Sequence, residues 1–315
     1  MSTDTACSSG GRLRGCPDGQ GRLRLMLRPS NETITLSDYL HQVYVPSKLD
    51  LSPGTVQQYE IAIRVFERWA GDTLSIRDLD ESFLRQFLAV YSQSNAPPTV
   101  NKKRQLLLTL WTHAYEEDIA DRPPRLRKVP RAREPRRIPE AWTPEEVGRL
   151  LAATGRLFRE PESSWWRAGL LFLYDTGCRV SEALRMQEGD LDATKRLAVF
   201  RQTKTGVDRL RELHPETVEA WLSVHPGSGP PWPYPYSRSW MTVCMSRLCG
   251  VARIRYGQGK GGCFQKLRHT SGTLVDANGG EGHTHLGNSR AVFERHYKDP
   301  RFFASQLDKL PRPRL

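Results

Sequence analysis

The sequence has no apolar run near the ~20 residues that a membrane-crossing helix needs. It is therefore not read as a membrane protein. No GxGxxG stretch and no Walker-type phosphate loop occurs, and no strand–helix–strand alternation is visible. Those absences argue against a nucleotide-binding enzyme. The six cysteines, Cys7, Cys16, Cys178, Cys244, Cys249 and Cys263, lack the paired short spacings of a zinc site. No apolar core of a signal peptide stands in residues 1–28. Free thiols in a reducing cytoplasm are the simplest expectation. No internal repeat is found. Neither a metal nor a small-molecule substrate is implied.

What the chain does have is positive charge. Its 47 Lys and Arg against 35 Asp and Glu leave a formal net charge of +12. A surplus of that sign points to a polyanionic partner, nucleic acid first and an anionic membrane surface second. At 315 residues there is room for about two domains at ~150 residues each.

Residues 1–30 are rich in Gly, Ser and Arg and read as a disordered basic tail. Residues 33–118 carry helical periodicity. Leu36, Tyr39, Leu40 and Val43 share a face, and Val56, Tyr59, Ile63, Phe66 and Trp69 recur at three- and four-residue steps. Ser52-Pro53 is a helix start and Gly71 a helix stop. With helices over 82–90 and from about Thr99 towards Tyr115, this part is predicted to be a four-helix bundle. Residues 119–141 are rich in Pro and Arg and read as a solvated linker that also lies along phosphates. Residues 142–310 read as helices with one β-hairpin, strands at 197–202 and 209–213, turning at Lys204-Thr205-Gly206. The fold class is thus mainly α with a small β-sheet, in two lobes.

Four residues form a chemically coherent set. Arg179 lies at a helix start in DTGCRVSEAL, where a guanidinium can grip an anion. Arg268 lies in KLRHTSGTLV, Lys204 on the hairpin turn, and Tyr297 ends HLGNSRAVFERHY. Two Arg can neutralise non-bridging phosphate oxygens, a Lys can protonate a leaving alkoxide, and a Tyr can attack phosphorus. Taken singly, each has a bland reading, such as a surface Arg after a helix stop. His113 and the pair Trp165-Trp166 read as core.

In order and wording these motifs resemble the tyrosine recombinase (phage integrase) family, from about Thr33 to Ala304. The resemblance implies a helical core-binding domain before a catalytic domain, the two clamping duplex DNA. It implies phosphate-binding roles for Arg179 and Arg268, a general-acid role for Lys204 and a nucleophilic role for Tyr297. It also implies a 3′-phosphotyrosyl intermediate, a homo-tetramer on two DNA sites, and no metal or ATP. Phe302, Phe303 and Leu307 are the expected docking face. The family usually carries His or Lys where this chain has Gln265, and His or Trp where it has Asn288. Neither amide accepts a proton at neutral pH. His269, His283, His285 and His296 are the nearby candidates for a substitute base. The segment from His269 to Asn288 is also a few residues shorter than usual. The alternatives are a DNA-binding protein on this scaffold that no longer cleaves, and a monomeric topoisomerase-like enzyme.

Overall fold

The computed structural model describes residues 34–135, 138–201, 208–232, 237–255 and 263–303. The chain divides into two compact units, Met1–Arg136 and Arg137–Leu315. Among the described residues no helix is long and apolar enough to cross a membrane.

The first unit holds α1 (Leu36–Tyr39, continued as a π-turn over Leu40–Tyr44), α2 (Pro53–Ala70), α3 (Glu81–Ser92) and α4 (Pro97–Glu116). Local signals set the ends. Ser52 accepts from the Thr55 amide, Pro53 opens α2, and Gly71 closes it at φ 79°. Asp80 caps α3 through the Ser82 and Phe83 amides. The apolar stripes meet in a core that includes Tyr39, Phe66, Phe87, Leu107 and Trp111. His113 is buried there, its ring nitrogens 2.6 Å from the Tyr39 hydroxyl and 2.9 Å from Ser47 Oγ.

The stretch read as a solvated linker is exposed along most of its described residues and is anchored at a few points. On the first unit, Val129 is fully buried. Asn101 exchanges two hydrogen bonds with the Ala132 backbone, at 2.9 and 2.8 Å. Arg104 donates to the carbonyls of Val129 and Leu126, and Trp111 Nε1 donates to that of Arg122. On the second unit, the Ala141 amide donates to Asp299 and the Trp142 amide to Thr270. Proline forbids a long helix here, so side chains such as Asn101, Arg104, Thr270 and Asp299 take up backbone groups that a helix would have satisfied.

The second unit runs α5 (Pro144–Leu157), α6 (Glu162–Thr176), α7 (Val180–Ala183), β1 (Leu191–Asp192), β2 (Leu197–Phe200), β3 (Arg209–Glu212), α8 (Pro215–Leu222), α9 (Arg238–Val251), α10 (Cys263–Ala277), α11 (Gly282–Leu286) and α12 (Arg290–His296). The strands form an antiparallel sheet in sequence order, with Phe200 opposite Arg209. Two elements are notably short. The helix that starts after Arg179 is a single turn, because the chain leaves it for a turn in which the Gln187 amide donates to the Asp190 carboxylate. The two-residue β1 is too short to carry a period-2 pattern.

Trp142, Trp166, Phe172, Phe200 and Leu267 are among the core residues, which places Trp166 as the sequence reading had it. α10 packs against α6, α9 and α11. The short connection from α10 to α11 is accommodated by glycine. A Cβ on Gly272 would stand 2.6 Å from Leu286 Cδ1 and 3.1 Å from Phe293. Only a residue without a side chain lets α11 lie this close to α10.

Candidate active site

The first motif is shaped by the stop of α6. Gly177 takes φ 56°, and a Cβ there would meet Leu286, His285 and Ser271. The chain turns sharply and delivers Arg179 to the N-cap of α7. Glu182, one turn on, accepts from the Arg179 amide at 2.9 Å and from Arg179 Nη1 at 2.7 Å. Its carboxylate is buried, which by itself raises the pKa. The Arg179 amide and the guanidiniums of Arg209 and Arg179 outweigh that burial and hold the group below the ordinary Glu value.

Gln265, Arg268 and His269 share one face of α10 by their three- and four-residue spacing. Arg268 is 1% exposed. Its Nη1 donates to the Gly177 carbonyl and its Nη2 to the Leu286 carbonyl at 2.6 Å. Its Nε is buried without a partner among the described residues.

Tyr297 follows α12 and is 7% exposed. Gln265 Nε2 donates to its hydroxyl at 3.0 Å. The Arg268 guanidinium stands 5.5 Å from its ring centroid, and the His269 ring meets it edge-on at 4.7 Å. Burial raises the phenol pKa. The charge of Arg268, the Gln265 bond and the charge of Arg179 outweigh it, so the pKa lies below the ordinary tyrosine value.

The structure therefore brings Gln265, Arg268 and Tyr297 into one cluster, with Arg179 electrostatically coupled to it. Asn288 follows the α11 stop at Gly287, and its Nδ2 is buried without a hydrogen-bond partner among the described residues. No hydrogen bond joins it to Tyr297 among those residues. Lys204 and Leu307 lie outside the described residues. Phe303 sits beneath Lys298, whose Nζ is 4.0 Å from its ring centroid.

Of the four histidines, His269 is the one against the Tyr297 ring. His285 is turned to Ser271 Oγ at 2.8 Å, His283 lines a separate groove with Asp276 and Arg290, and His296 is exposed. Glu182, Arg209 and Ser271 were missed in the sequence, although Glu182 stands within the first motif. Its acid at the third position of a helix was a visible capping signal.

Burial, then neighbouring cations, depress the pKa of His269 and of His285 to about 4. The sign follows from linkage. Unfolded His titrates near ~6.5, so below that pH the unfolded chain binds protons that the folded one refuses. Stability is full above ~6.5 and falls as pH drops towards the folded value. The expected loss is on the order of 1–3 kcal/mol per histidine, at about 1.4 kcal/mol per pKa unit. Urea unfolding at pH 7 and pH 4.5 measures it. Equal midpoints at the two pH values would show that these rings are not held neutral.

Two guanidiniums, an amide donor and a phenol of lowered pKa are a set that can hold an oxyanion and supply a nucleophile beside it. Comparison with known proteins accords with that chemistry. Residues 35–128 match the phage integrase SAM-like domain and residues 140–228 match the phage integrase family. The chain belongs to the phage integrase, or tyrosine recombinase, family. The family match ends before Arg268 and Tyr297, so those two rest on their motifs and geometry.

Among curated proteins, the chain is 31% identical over 161 residues to tyrosine recombinase XerA of Thermococcus kodakarensis, covering 50% of this chain and 51% of that one. It is 32% identical over 170 residues to an integrase/recombinase of Escherichia coli, covering 54% and 47%. The chain spans about half the length of the curated relatives it matches. Among solved structures, a lambda integrase tetramer bound to a Holliday junction superposes with TM-score 0.69 at 18% identity, over 86% of this chain and 79% of that one. The Tn1549 transposon integrase in complex with circular intermediate DNA gives 0.64 at 17%, over 89% and 100%. These two likenesses are of fold.

Proposed function

We propose that this protein is a site-specific DNA recombinase that cleaves and rejoins duplex DNA through Tyr297. The observation that carries the reading is the Tyr297 hydroxyl, held by Gln265 and flanked by Arg268. The phenol oxygen attacks phosphorus and releases its proton to solvent water. The Tyr297 O–P bond forms as the bond from phosphorus to the 5′ oxygen breaks, and Lys204 protonates the departing 5′-hydroxyl. Arg179 and Arg268 neutralise the non-bridging oxygens as charge builds. The Gln265 amide donates to the phenol oxygen, so it stabilises the phenolate. It does not accept the proton. Asn288, whose buried Nδ2 has no partner among the described residues, is assigned the role of a further donor. The 3′-phosphotyrosyl bond conserves the energy of the phosphodiester, so exchange needs no ATP.

The substrate is duplex DNA, in keeping with the net charge of +12. Lambda integrase is known as a dimer on a core site and as a tetramer on a Holliday junction, and we assign this chain the same tetramer on two duplexes.

The test is incubation with a pool of nicked duplexes of randomised sequence, followed by a denaturing gel. A covalent protein–DNA band is expected. Binding to the same pool should be salt-dependent. A protein that neutralises six to ten phosphates loses about 10³–10⁵ in affinity between about 50 and 200 mM salt. An affinity flat over that range would sink the phosphate-contact reading. A second reading is favoured by Gln265 and Asn288, which stand where relatives carry titratable side chains. It is a DNA-binding protein that no longer cleaves, and binding with no covalent band is its signature.

A further inference from the structure

We infer that Arg209 is a positioning residue that fixes the two phosphate-binding arginines relative to each other. The inference rests on the recombinase reading above. Arg209 enters from β3, and its side chain is 9% exposed. Its Nη2 donates to Glu182 Oε2 at 2.6 Å, and its Nη1 donates to the Leu286 carbonyl at 2.9 Å. Each of these acceptors also holds a motif arginine. Glu182 Oε1 takes Arg179 Nη1, and the Leu286 carbonyl takes Arg268 Nη2. The circuit closes, because Arg268 Nη1 returns to the carbonyl of Gly177, two residues before Arg179.

The physical need for such a hub is plain. Arg179, Arg209, Arg211 and Arg268 are like charges gathered at one place, with Glu182 as the carboxylate among them. Arg211 donates to the carbonyls of Thr284 and His285, so three guanidiniums between them occupy the last carbonyls of α11. Those carbonyls are the negative end of the helix and partly offset the repulsion. A planar fork reaches the carboxylate and the carbonyl with two separate nitrogens held at a fixed spacing, which the single nitrogen of a lysine does not reproduce. Arg209 also pairs in register with Phe200, and the residues between them carry Lys204. One side chain thus links the strand that follows Lys204 to both arginines. Cleavage demands that all three meet one phosphate, and a misplacement of about 1 Å can cost ~10²-fold in rate.

The test uses Arg209→Met and Arg209→Lys in the full chain. Lys keeps the charge and the stem should Met fail to fold. Single-turnover cleavage of nicked duplexes is expected to slow ~10²-fold in both variants. DNA affinity should stay near wild type. The defect should shrink on a methylphosphonate substrate, which lacks the charge that the arginines neutralise. A merely structural role would leave the methylphosphonate and phosphodiester defects equal, and that result overturns the proposal. So does wild-type cleavage by Arg209→Lys. Absence of any adduct in wild type would instead remove the recombinase reading. A crystal structure of Arg209→Lys then decides the hub alone: displaced Arg179 and Arg268 guanidiniums support it, and unmoved ones overturn it.

Discussion

Replacing Tyr297 with Phe is expected to abolish the covalent DNA adduct and leave the affinity for duplex DNA nearly unchanged. The substitution removes one oxygen. The ring keeps its stack on Phe293, its edge contact with His269 and its place beside Arg268. What is lost is the nucleophile and one hydrogen bond from Gln265. A neutral hydrogen bond contributes about 0.5–1.5 kcal/mol, so affinity should hold within about tenfold even if DNA sensed the whole of it. Without the phenol no phosphotyrosyl ester can form, whatever the arginines do. A labelled nicked duplex, a denaturing gel and a filter-binding curve measure both quantities. A covalent band that persists in Tyr297→Phe would move the nucleophile to another residue.

Arg268→Ala should cost the fold as well as the reaction. The side chain is 1% exposed and donates to two backbone carbonyls, Gly177 and Leu286. A buried carbonyl left without a donor costs ~1–3 kcal/mol, and truncating a large buried side chain adds a cavity. A stability loss of ~3–5 kcal/mol follows, at the upper end for single substitutions. Part of that loss falls on α11, whose last turn Arg268 ties to Gly177. Loss of one donor at a developing oxyanion costs ~10²–10³ in rate. Denaturant unfolding reads the first effect. Single-turnover cleavage, at a temperature where circular dichroism shows the variant folded, reads the second. Arg268→Lys should fall between, since one ammonium cannot span both carbonyls. Arg209 still donates to the Leu286 carbonyl, so a variant as stable as wild type would mean that water replaces the guanidinium at the Gly177 carbonyl.

The helix ends were legible because their causes are local. Ser52-Pro53, Gly71, Thr143-Pro144 and Gly177 act through hydrogen bonds and φ angles within a few residues. Arg179, Arg268 and Tyr297 were legible for another reason: each sits in a motif whose wording and order are those of the family. The sequence by itself therefore determined the helical layout, the basic character and the principal residues of the candidate site. Only the tertiary structure decided how they are held. Glu182 and Arg209 are 27 positions apart, and the Leu286 carbonyl that Arg209 shares with Arg268 is 77 positions from Arg209. No spacing rule reaches that far, since such bonds exist only once β3, α7 and α11 have packed. The same holds for the anchor points of the Pro- and Arg-rich stretch, which is otherwise exposed as its composition suggests. Asn101 and Arg104 of α4 hold it at Ala132 and Val129 by offering partners to its backbone. The tertiary structure also decided which of four histidines meets Tyr297. His269 does so because it shares a face of α10 with Gln265 and Arg268, while the fold of α11 turns His285 towards Ser271.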